Sequence, residues 1–443
     1  MKTILLFGAG KSATSLIDYL GKSCDENGWK LVVCDSNLSL AESKTKNFPA
    51  AEAISFDVSN DEKRHEYISK ADLVISMLPP ALHFLAAIDC VAFSKNLLTA
   101  SYIDEKIKSL QDEILEKGLI FLGEMGLDPG IDHMSAMRLI NKIKKEGGKI
   151  HSFKSHCGGL VSPESDDNPW HYKITWNPAN VVMAGSSGAV YLENGKKTEI
   201  PYLEIFNDEK NIADVPGLFS LAWYPNRDSL SYIDTYELHD ATTFIRTTLR
   251  YPSFCRGWNK IVKLGLTNKN DDEEIRDCKT FADWFNLKKD KFASQNENTF
   301  NENEFFNSEF SEQVNFLELN KEEKIPIEIS DSAFLLQSVL EKKLVMKPHD
   351  KDMIVMLHEI EYSINGENKN TSSCLIVKGE DQIHTAMAKT VGLPLGIAAK
   401  LILEDKIKLT GLHIPVIAEI YEPVLKELEL NGIKFNEATK IAL

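Results

Sequence analysis

The feature that most limits the fold is an apolar run that stops on a glycine pair. Thr3-Ile4-Leu5-Leu6-Phe7 leads directly into Gly8-Ala9-Gly10-Lys11-Ser12-Ala13. An amphipathic segment follows at once, with Leu16, Ile17 and Leu20 at helical spacing. A parallel strand that turns straight into a helix needs one glycine for the turn. It needs a second so that a pyrophosphate can approach the backbone, and a small third residue, here Ala13, so that helix and strand pack closely. The helix N-terminus then offers free N–H groups and the positive end of its dipole to phosphates. GxGxxA also occurs in ordinary glycine turns. Its place after a strand and before a helix is what favours dinucleotide binding, through Gly8, Gly10, Lys11, Ser12 and Ala13.

Residues 1 to about 125 continue the alternation of strand and helix. Lys30-Leu31-Val32-Val33-Cys34-Asp35 is a second strand ending in an acid. Asp35 lies near the expected place for a carboxylate that accepts hydrogen bonds from ribose hydroxyls and repels a 2′-phosphate, which leans towards NAD over NADP. A plain loop aspartate is the competing reading. A third strand spans 53–57, with Asp57 at its carboxyl end, placed to meet an adenine ring. A fourth, 72–80, is stopped by a proline pair; a fifth spans 96–102 and a sixth 119–122. This rhythm predicts an α/β, Rossmann-type, doubly wound parallel sheet. Ligands of such sheets sit outside the carboxyl ends of the strands, a rule that points at residues 8–13, Asp35, Met77, Leu78, Pro79, Ser101 and Tyr102.

The sixth strand runs into a glycine-rich loop, Gly123-Glu124-Met125-Gly126-Leu127-Asp128-Pro129-Gly130-Ile131-Asp132-His133, ahead of a helical stretch at 134–145. Such a loop is a natural hinge. His133 beside Asp132 reads equally as an oriented base or a helix cap. Beyond it the βαβ rhythm is lost. Strand-like segments fall at 151–156, 173–176, 181–184, 189–192, 243–249, 352–364 and 373–377. Asn365-Gly366 supplies a hairpin tip. This predicts a mixed α/β domain with an antiparallel sheet. Residues 295–310 are nearly low-complexity, yet Phe300, Phe305, Phe306 and Phe310 argue for a helical or lid-like insert at about 268–325. Residues 386–403 are apolar nearly all round and should be buried, with a kink or helix start at Gly392-Leu393-Pro394. A turn at 411–415 and a helix at 415–430 follow. The expected division is a dinucleotide-binding domain at 1–125, onto which 386–443 packs back, and a substrate domain at 126–385.

Composition removes several functions. Net charge is −16 over 443 residues, which argues against binding nucleic acid or anionic membranes. No apolar run is expected to reach the roughly 18 residues of a membrane span, and the N-terminus reads into a strand and not a signal peptide. The seven cysteines form no CxxC and suggest neither a disulfide framework nor a metal site. A cytoplasmic location is expected. The expected partner is a small-molecule substrate, with a homodimer compatible with the chain.

Three arginines stand out in otherwise apolar or turn-rich segments. Arg227 lies in Tyr224-Pro225-Asn226-Arg227-Asp228-Ser229, and Arg246 and Arg250 in Arg246-Thr247-Thr248-Leu249-Arg250-Tyr251. An even spacing puts Arg246 and Arg250 on one face of a strand. With Arg227 they suit either a carboxylate clamp or a structural ion-pair network. Cys157, before a double glycine, reads more simply as a packed core thiol than as a nucleophile. The loop Asn168-Pro169-Trp170-His171-Tyr172-Lys173 could line a pocket, and His133, His156, His171 and His239 show no metal spacing.

Taken together, GAGKSATSL, VISMLPPALH, LLTASYID, GEMGLDPGIDHM, SHCGGLVSPE, NPWHYKITWNP, YPNRDSLSY, IRTTLRYPSF and TVGLPLGIAAKLIL resemble, in order and spacing, the saccharopine dehydrogenases of the L-glutamate-forming type (saccharopine reductases). The resemblance implies NAD(P)-dependent, reversible cleavage of saccharopine through an imine to glutamate and 2-aminoadipate 6-semialdehyde, in lysine metabolism. It implies substrate contacts at Ser101, Tyr102, Asp128 and Arg227 and in the segment Arg246, Thr247, Thr248, Arg250. It implies cofactor contacts at residues 8–13, Met77, Leu78, Pro79, Leu127, Asp128, Trp176 and Asn177. Tyr102, Asp128 and Cys157 would surround the reacting centre. Family members usually carry a basic residue just after the second strand for the 2′-phosphate; here Cys34-Asp35-Ser36-Asn37 has none. The family thus points to NADP and Asp35 to NAD. The alternatives are a carboxynorspermidine-type dehydrogenase, whose cationic substrate should call for Asp and Glu where arginines stand, and a non-enzymatic nucleotide-binding protein of the same fold.

Overall fold

Strands without a polar face must be covered on both sides. Four of the five residues of β1 (Thr3–Phe7) and of β2 (Lys30–Cys34) are buried. All four of β4 (Leu73–Ser76) are buried too. In the computed structural model, which describes residues 1–207, 210–325 and 331–441, these strands form the middle of a parallel sheet. β3 (Ala51–Ile54) lies beyond β2. On the other side β5 (Asn96–Thr99), β6 (Ile120–Leu122) and a short strand at Gly411–His413 follow β4. All of the pairings are parallel. The segment 411–415, expected as a turn, thus adds a seventh strand. Leu412 pairs with Phe121, so the side of β6 facing away from β5 is paired as well.

By internal contacts the chain divides into a first unit of residues 1–149 and 379–436 and a second of 150–378 and 437–443. Helix Ile131–Lys145, after the glycine-rich loop, belongs to the first. So does Ala386–Leu403, a single 18-residue helix that keeps Pro394 inside it. By length and composition alone this helix could cross a membrane, contrary to the expectation that no such run exists. It is 83% buried in the protein, and it serves as a core helix. It lies against helix Thr14–Asn27, and its glycines permit the approach. A Cβ on Gly392 would stand 2.8 Å from the Leu16 nitrogen, and one on Gly396 2.8 Å from the Tyr19 ring.

The second unit is built on a ten-stranded mixed sheet. Its strands are β7 (Lys149–Val161), β8 (Ala189–Glu193), β9 (Lys196–Ile200), β10 (Ile212–Asp214), β11 (Ser220–Pro225), β12 (Arg227–Asp228), β13 (Thr243–Arg250), β14 (Asp352–Ile364), β15 (Glu367–Lys378) and a last one at Asn436–Ile441. β11 is antiparallel to β13, and β13 is parallel to β7. β14 and β15 form the expected hairpin, with Asn365 and Gly366 both at positive φ, 52° and 82°. Two segments expected as strands differ. Residues 181–184 end a short helix, Pro178–Val182, started by the Asn177 side chain and by proline at its first position. Residues 173–176 contribute one bridge, Ile174 to Val345. The insert is helical, at Phe281–Gln295, Glu302–Phe305 and Ser308–Leu317. Its phenylalanines pack on one another, with ring centres 5.0 Å apart for Phe292 and Phe305 and 5.5 Å for Phe306 and Phe310.

Because the Gly392 hydrogen faces backbone and not a movable side chain, Gly392→Val must push two core helices apart. This should lower stability by about 1–3 kcal/mol. The thermal midpoint of the first unit should fall by several degrees; an unchanged midpoint would contradict the close helix contact.

Candidate active site

The glycine turn is shaped by three strands. The Gly8 N–H donates to the Cys34 carbonyl of β2, and Met77, just past β4, donates its N–H to the Phe7 carbonyl, both at 2.8 Å. Gly8 has φ +99°, and a Cβ there would come within 2.8 Å of the Met77 carbonyl oxygen. No other residue fits. Gly10 differs: its φ is −61°, which any residue adopts, and a Cβ would meet nothing within 4 Å. Neither the backbone nor protein packing demands that glycine. The open space beside it, at the start of the turn Lys11–Ala13 and helix Thr14–Asn27, is what an approaching phosphate requires. Ala13 is 1% exposed and closes the helix on the sheet.

Asp35 is committed to this turn. One carboxylate oxygen accepts from the Ala9 N–H at 2.8 Å and the other from the Asn37 N–H at 2.9 Å. The carboxylate fixes the loop backbone with one acceptor site on each oxygen, and its remaining lone pairs can still meet a ribose hydroxyl. Asp57 is exposed and bonded to the N–H and hydroxyl of Ser59, which holds its carboxyl below the usual range. At the end of β3 it is Phe56 that stacks, on Tyr67 at 5.4 Å and edge-on to Phe7. A basic side chain reaches the turn from farther along. Lys44, near the end of helix Leu38–Thr45, donates to the Gly10 carbonyl at 2.6 Å and the Thr14 hydroxyl at 3.0 Å. Burial pushes its pKa down to about 8, against the opposing pull of Asp18 and Asp35. Among the described residues no carboxylate is paired with it.

Met77, Leu78, Pro79, Ser101 and Tyr102 follow the carboxyl ends of β4 and β5, and all are at least partly exposed. Buried between these strand ends is His83, bonded at Nδ1 to the Ser76 hydroxyl and at Nε2 to the Ser101 hydroxyl, each at 2.7 Å. Leu127 and Asp128 sit in a loop that cannot lose its glycine: a Cβ on Gly130 would lie 2.1 Å from the Gly126 carbonyl oxygen. The Gly126 N–H donates to the Pro129 carbonyl, and the Leu127 carbonyl accepts from the Asp132 N–H. Asp128 is half-buried beside this frame. His133 is fully buried, its Nε2 2.9 Å from a Glu124 carboxylate oxygen, and Asp132 accepts from the Gly130 N–H at 2.6 Å. Both hold the loop, and neither is an accessible base.

In the second unit the register of β13 sorts the remaining residues. Arg246, Thr248 and Arg250 alternate onto one face, where Thr248 is paired with Cys157 of β7 and Tyr224 of β11. Thr247 points the other way, bonded to His156 Nδ1 at 2.7 Å, with His156 Nε2 3.1 Å from Glu359. The pleat therefore parts Thr247 from its neighbours, against the expectation of a single contact segment. Arg246 and Arg250 are each 4% exposed, and Cys157 is likewise buried. The Arg246 guanidinium lies 4.4 Å from the Tyr232 ring. Arg250 lies 5.2 Å from Tyr172 and 5.6 Å from Phe254; its Nη1 donates to the Leu249 carbonyl, while its Nε has no partner. Among the described residues no carboxylate pairs with Arg250. A buried guanidinium in that state is ready for an anion. Trp176 joins the same group through its indole N–H on the Tyr172 hydroxyl, 3.2 Å, and Asn177 caps the helix after it. Arg227 is exposed, with φ +48°.

Comparison with known proteins agrees with these features. Residues 4–122 match the model of the saccharopine dehydrogenase NADP binding domain and residues 126–433 that of the saccharopine dehydrogenase C-terminal domain. An Arabidopsis thaliana protein named alpha-aminoadipic semialdehyde synthase is 34% identical over 98% of this chain and 44% of its own. The chain thus spans about half the length of the first curated relatives it matches. The Saccharomyces cerevisiae saccharopine dehydrogenase [NADP(+), L-glutamate-forming] is 32% identical over 99% of both chains. The solved structure of an apo, L-Glu forming saccharopine dehydrogenase from Saccharomyces cerevisiae superposes with a TM-score of 0.88 at 30% identity, covering 99% of this chain and all of the other. The chain belongs to the saccharopine dehydrogenase family.

Proposed function

We propose that the chain is an NADP-dependent oxidoreductase that oxidises saccharopine reversibly at its secondary amine, giving glutamate and 2-aminoadipate 6-semialdehyde. The full-length likeness to the yeast enzyme of that specificity carries the reading. The desolvated Arg250, on one strand face with Arg246, fits a substrate with several carboxylates and disfavours a polyamine. The turn at Gly8 and Gly10 fits a dinucleotide pyrophosphate. Held at that turn, a dinucleotide would supply hydride acceptance, so that the carbon beside the secondary amine could be oxidised to an imine and hydrolysed by water. The work left to the protein is to hold carboxylates, orient water and move protons. Ser101, Tyr102, Asp128 and Arg227 are assigned to the substrate, and Tyr102, Asp128 and Cys157 to proton handling around the imine. Leu78, Pro79, Leu127, Trp176 and Asn177 are assigned to the dinucleotide, and Lys44 to its 2′-phosphate, because it is a cation on the helix that follows β2, near where the family carries its basic residue.

The purified chain, given 2-aminoadipate semialdehyde and glutamate, should oxidise NADPH, and NADH more slowly. Oxidation of neither would overturn the assignment. Lys44→Met should weaken NADPH binding by about tenfold and leave NADH little changed, since a charged hydrogen bond contributes about 1.5–3 kcal/mol. A Lys44 with a pKa near 8 loses its charge as pH rises. The preference for NADPH should therefore fall above pH 8 in the wild type and stay flat in the variant; equal profiles would remove Lys44 from the 2′-phosphate. Arg250→Met should raise the saccharopine KM by about 100-fold while keeping or raising the thermal midpoint, because an unpaired buried charge is removed. An unchanged KM would take Arg250 out of the substrate site.

A further inference from the structure

One member of the segment VISMLPPALH has no part in the assignments above. His83 opens helix His83–Ala92 and is 3% exposed. It connects the ends of two adjacent strands, taking Ser76 of β4 at Nδ1 and Ser101, two residues past β5, at Nε2. The hydrogen positions follow from what surrounds Ser76. Its side chain is fully buried, and among the described residues His83 is its one hydrogen-bond partner. A proton on Nδ1 would leave the Ser76 hydroxyl hydrogen sealed in the core with no acceptor. Ser76 therefore donates to Nδ1, the ring proton sits on Nε2, and Nε2–H donates to Ser101.

Ser101 is held on every side but one. Its carbonyl accepts from the Glu124 N–H at 3.0 Å, and its own N–H donates to the Thr99 hydroxyl at 3.2 Å. Its hydroxyl oxygen already accepts from His83, so its hydroxyl hydrogen is left to point elsewhere. Ser101 is half-buried at the carboxyl edge of the parallel sheet, where ligands of such sheets lie. Burial holds the His83 pKa down to about 4, and the positive end of the helix dipole works in the same sense. The ring is neutral at neutral pH, and the order of donors persists.

We propose that His83 is a positioning residue that makes Ser101 a one-way hydrogen-bond donor to a carboxylate oxygen of the substrate. The chain Ser76 to His83 to Ser101 passes no net proton. It sets the direction of the last hydroxyl, so that an anionic oxygen is met by a hydrogen and not by a lone pair. The inference rests on the saccharopine reading above.

The test is a double-mutant cycle in the full chain, with the saccharopine KM and the NADPH Kd measured separately. Ser101→Ala should raise the KM by about 10- to 100-fold, the loss of one hydrogen bond to a charged group. His83→Ala should raise it comparably. The double variant should be no worse than Ser101→Ala, because His83 acts only through that hydroxyl. His83→Gln places an amide donor near the position of Nε2 and should recover part of the loss. The NADPH Kd should stay unchanged throughout. Effects that multiply in the double variant would overturn the proposal in favour of a merely structural histidine. A rise confined to the NADPH Kd would overturn it by giving the acceptor to the dinucleotide. If His83→Ala does not fold, His83→Gln in the Ser101→Ala background decides the matter: it must be silent, and a further rise in KM overturns the proposal. A wild-type chain that binds NADPH but leaves saccharopine untouched overturns the functional reading itself, whatever the variants do.

Discussion

The approach of Gly8 to the Met77 carbonyl is the constraint from which the nucleotide half of the chemistry is positioned. A single left-handed residue, tied to β2 through Cys34 and pressed against the backbone leaving β4, brings three strand ends to one point. The helix that follows then starts where its free N–H groups meet open space at Gly10. Other polar groups are set from that turn. Asp35 secures the Ala9 N–H, and Lys44 leans on the Gly10 carbonyl. On the far side, His83 bridges the ends of β4 and β5.

A second principle recurs in both units: polar side chains are desolvated and then aimed. His83 is kept neutral by burial, with its donor direction decided by a serine that has no other partner among the described residues. Arg250 lies against a pair of touching aromatic rings, Tyr172 and Phe254, with one guanidinium nitrogen unsatisfied. Leaving a buried group short of a partner costs about 1–3 kcal/mol, more for a charge. Such a cost is tolerated where a ligand supplies the missing partner. The buried pair His133 and Glu124 is the contrasting case, already matched and serving to hold the loop of Asp128.

Period-2 and period-3.6 signals were legible wherever one element decided its own burial. β1, β2, β4 and the Asn365-Gly366 hairpin follow directly from residue pattern. The order of motifs was enough to place the chain in its family. What stayed hidden depends on distant partners. Gly411–His413 is a strand only because β6 offers an edge for it to pair with. Residues 178–182 are helical because Asn177 and Pro178 start a helix, which outweighs the β-propensity of two valines. Asp35 has the right type and place for a ribose ligand, and its second task, securing the loop through one bond to each oxygen, shows only in three dimensions. Lys44 and His83 carried no local signal, since their partners lie 30 and 34 residues away for Lys44 and 7 and 18 for His83. The resemblance joins Thr247 to Thr248 in one contact segment, and the pleat turns their side chains to opposite faces.

The measurement that bears most directly on this account is dinucleotide binding to Gly10→Val. The residue has an ordinary φ, and its side of the backbone is empty, so the variant should fold with the thermal midpoint of the wild type. The new side chain occupies the space assigned to the pyrophosphate, and the NADPH Kd measured by calorimetry should rise by about 100-fold or more. A folded Gly10→Val chain that binds NADPH as tightly as the wild type would contradict the assignment of the glycine turn to the cofactor.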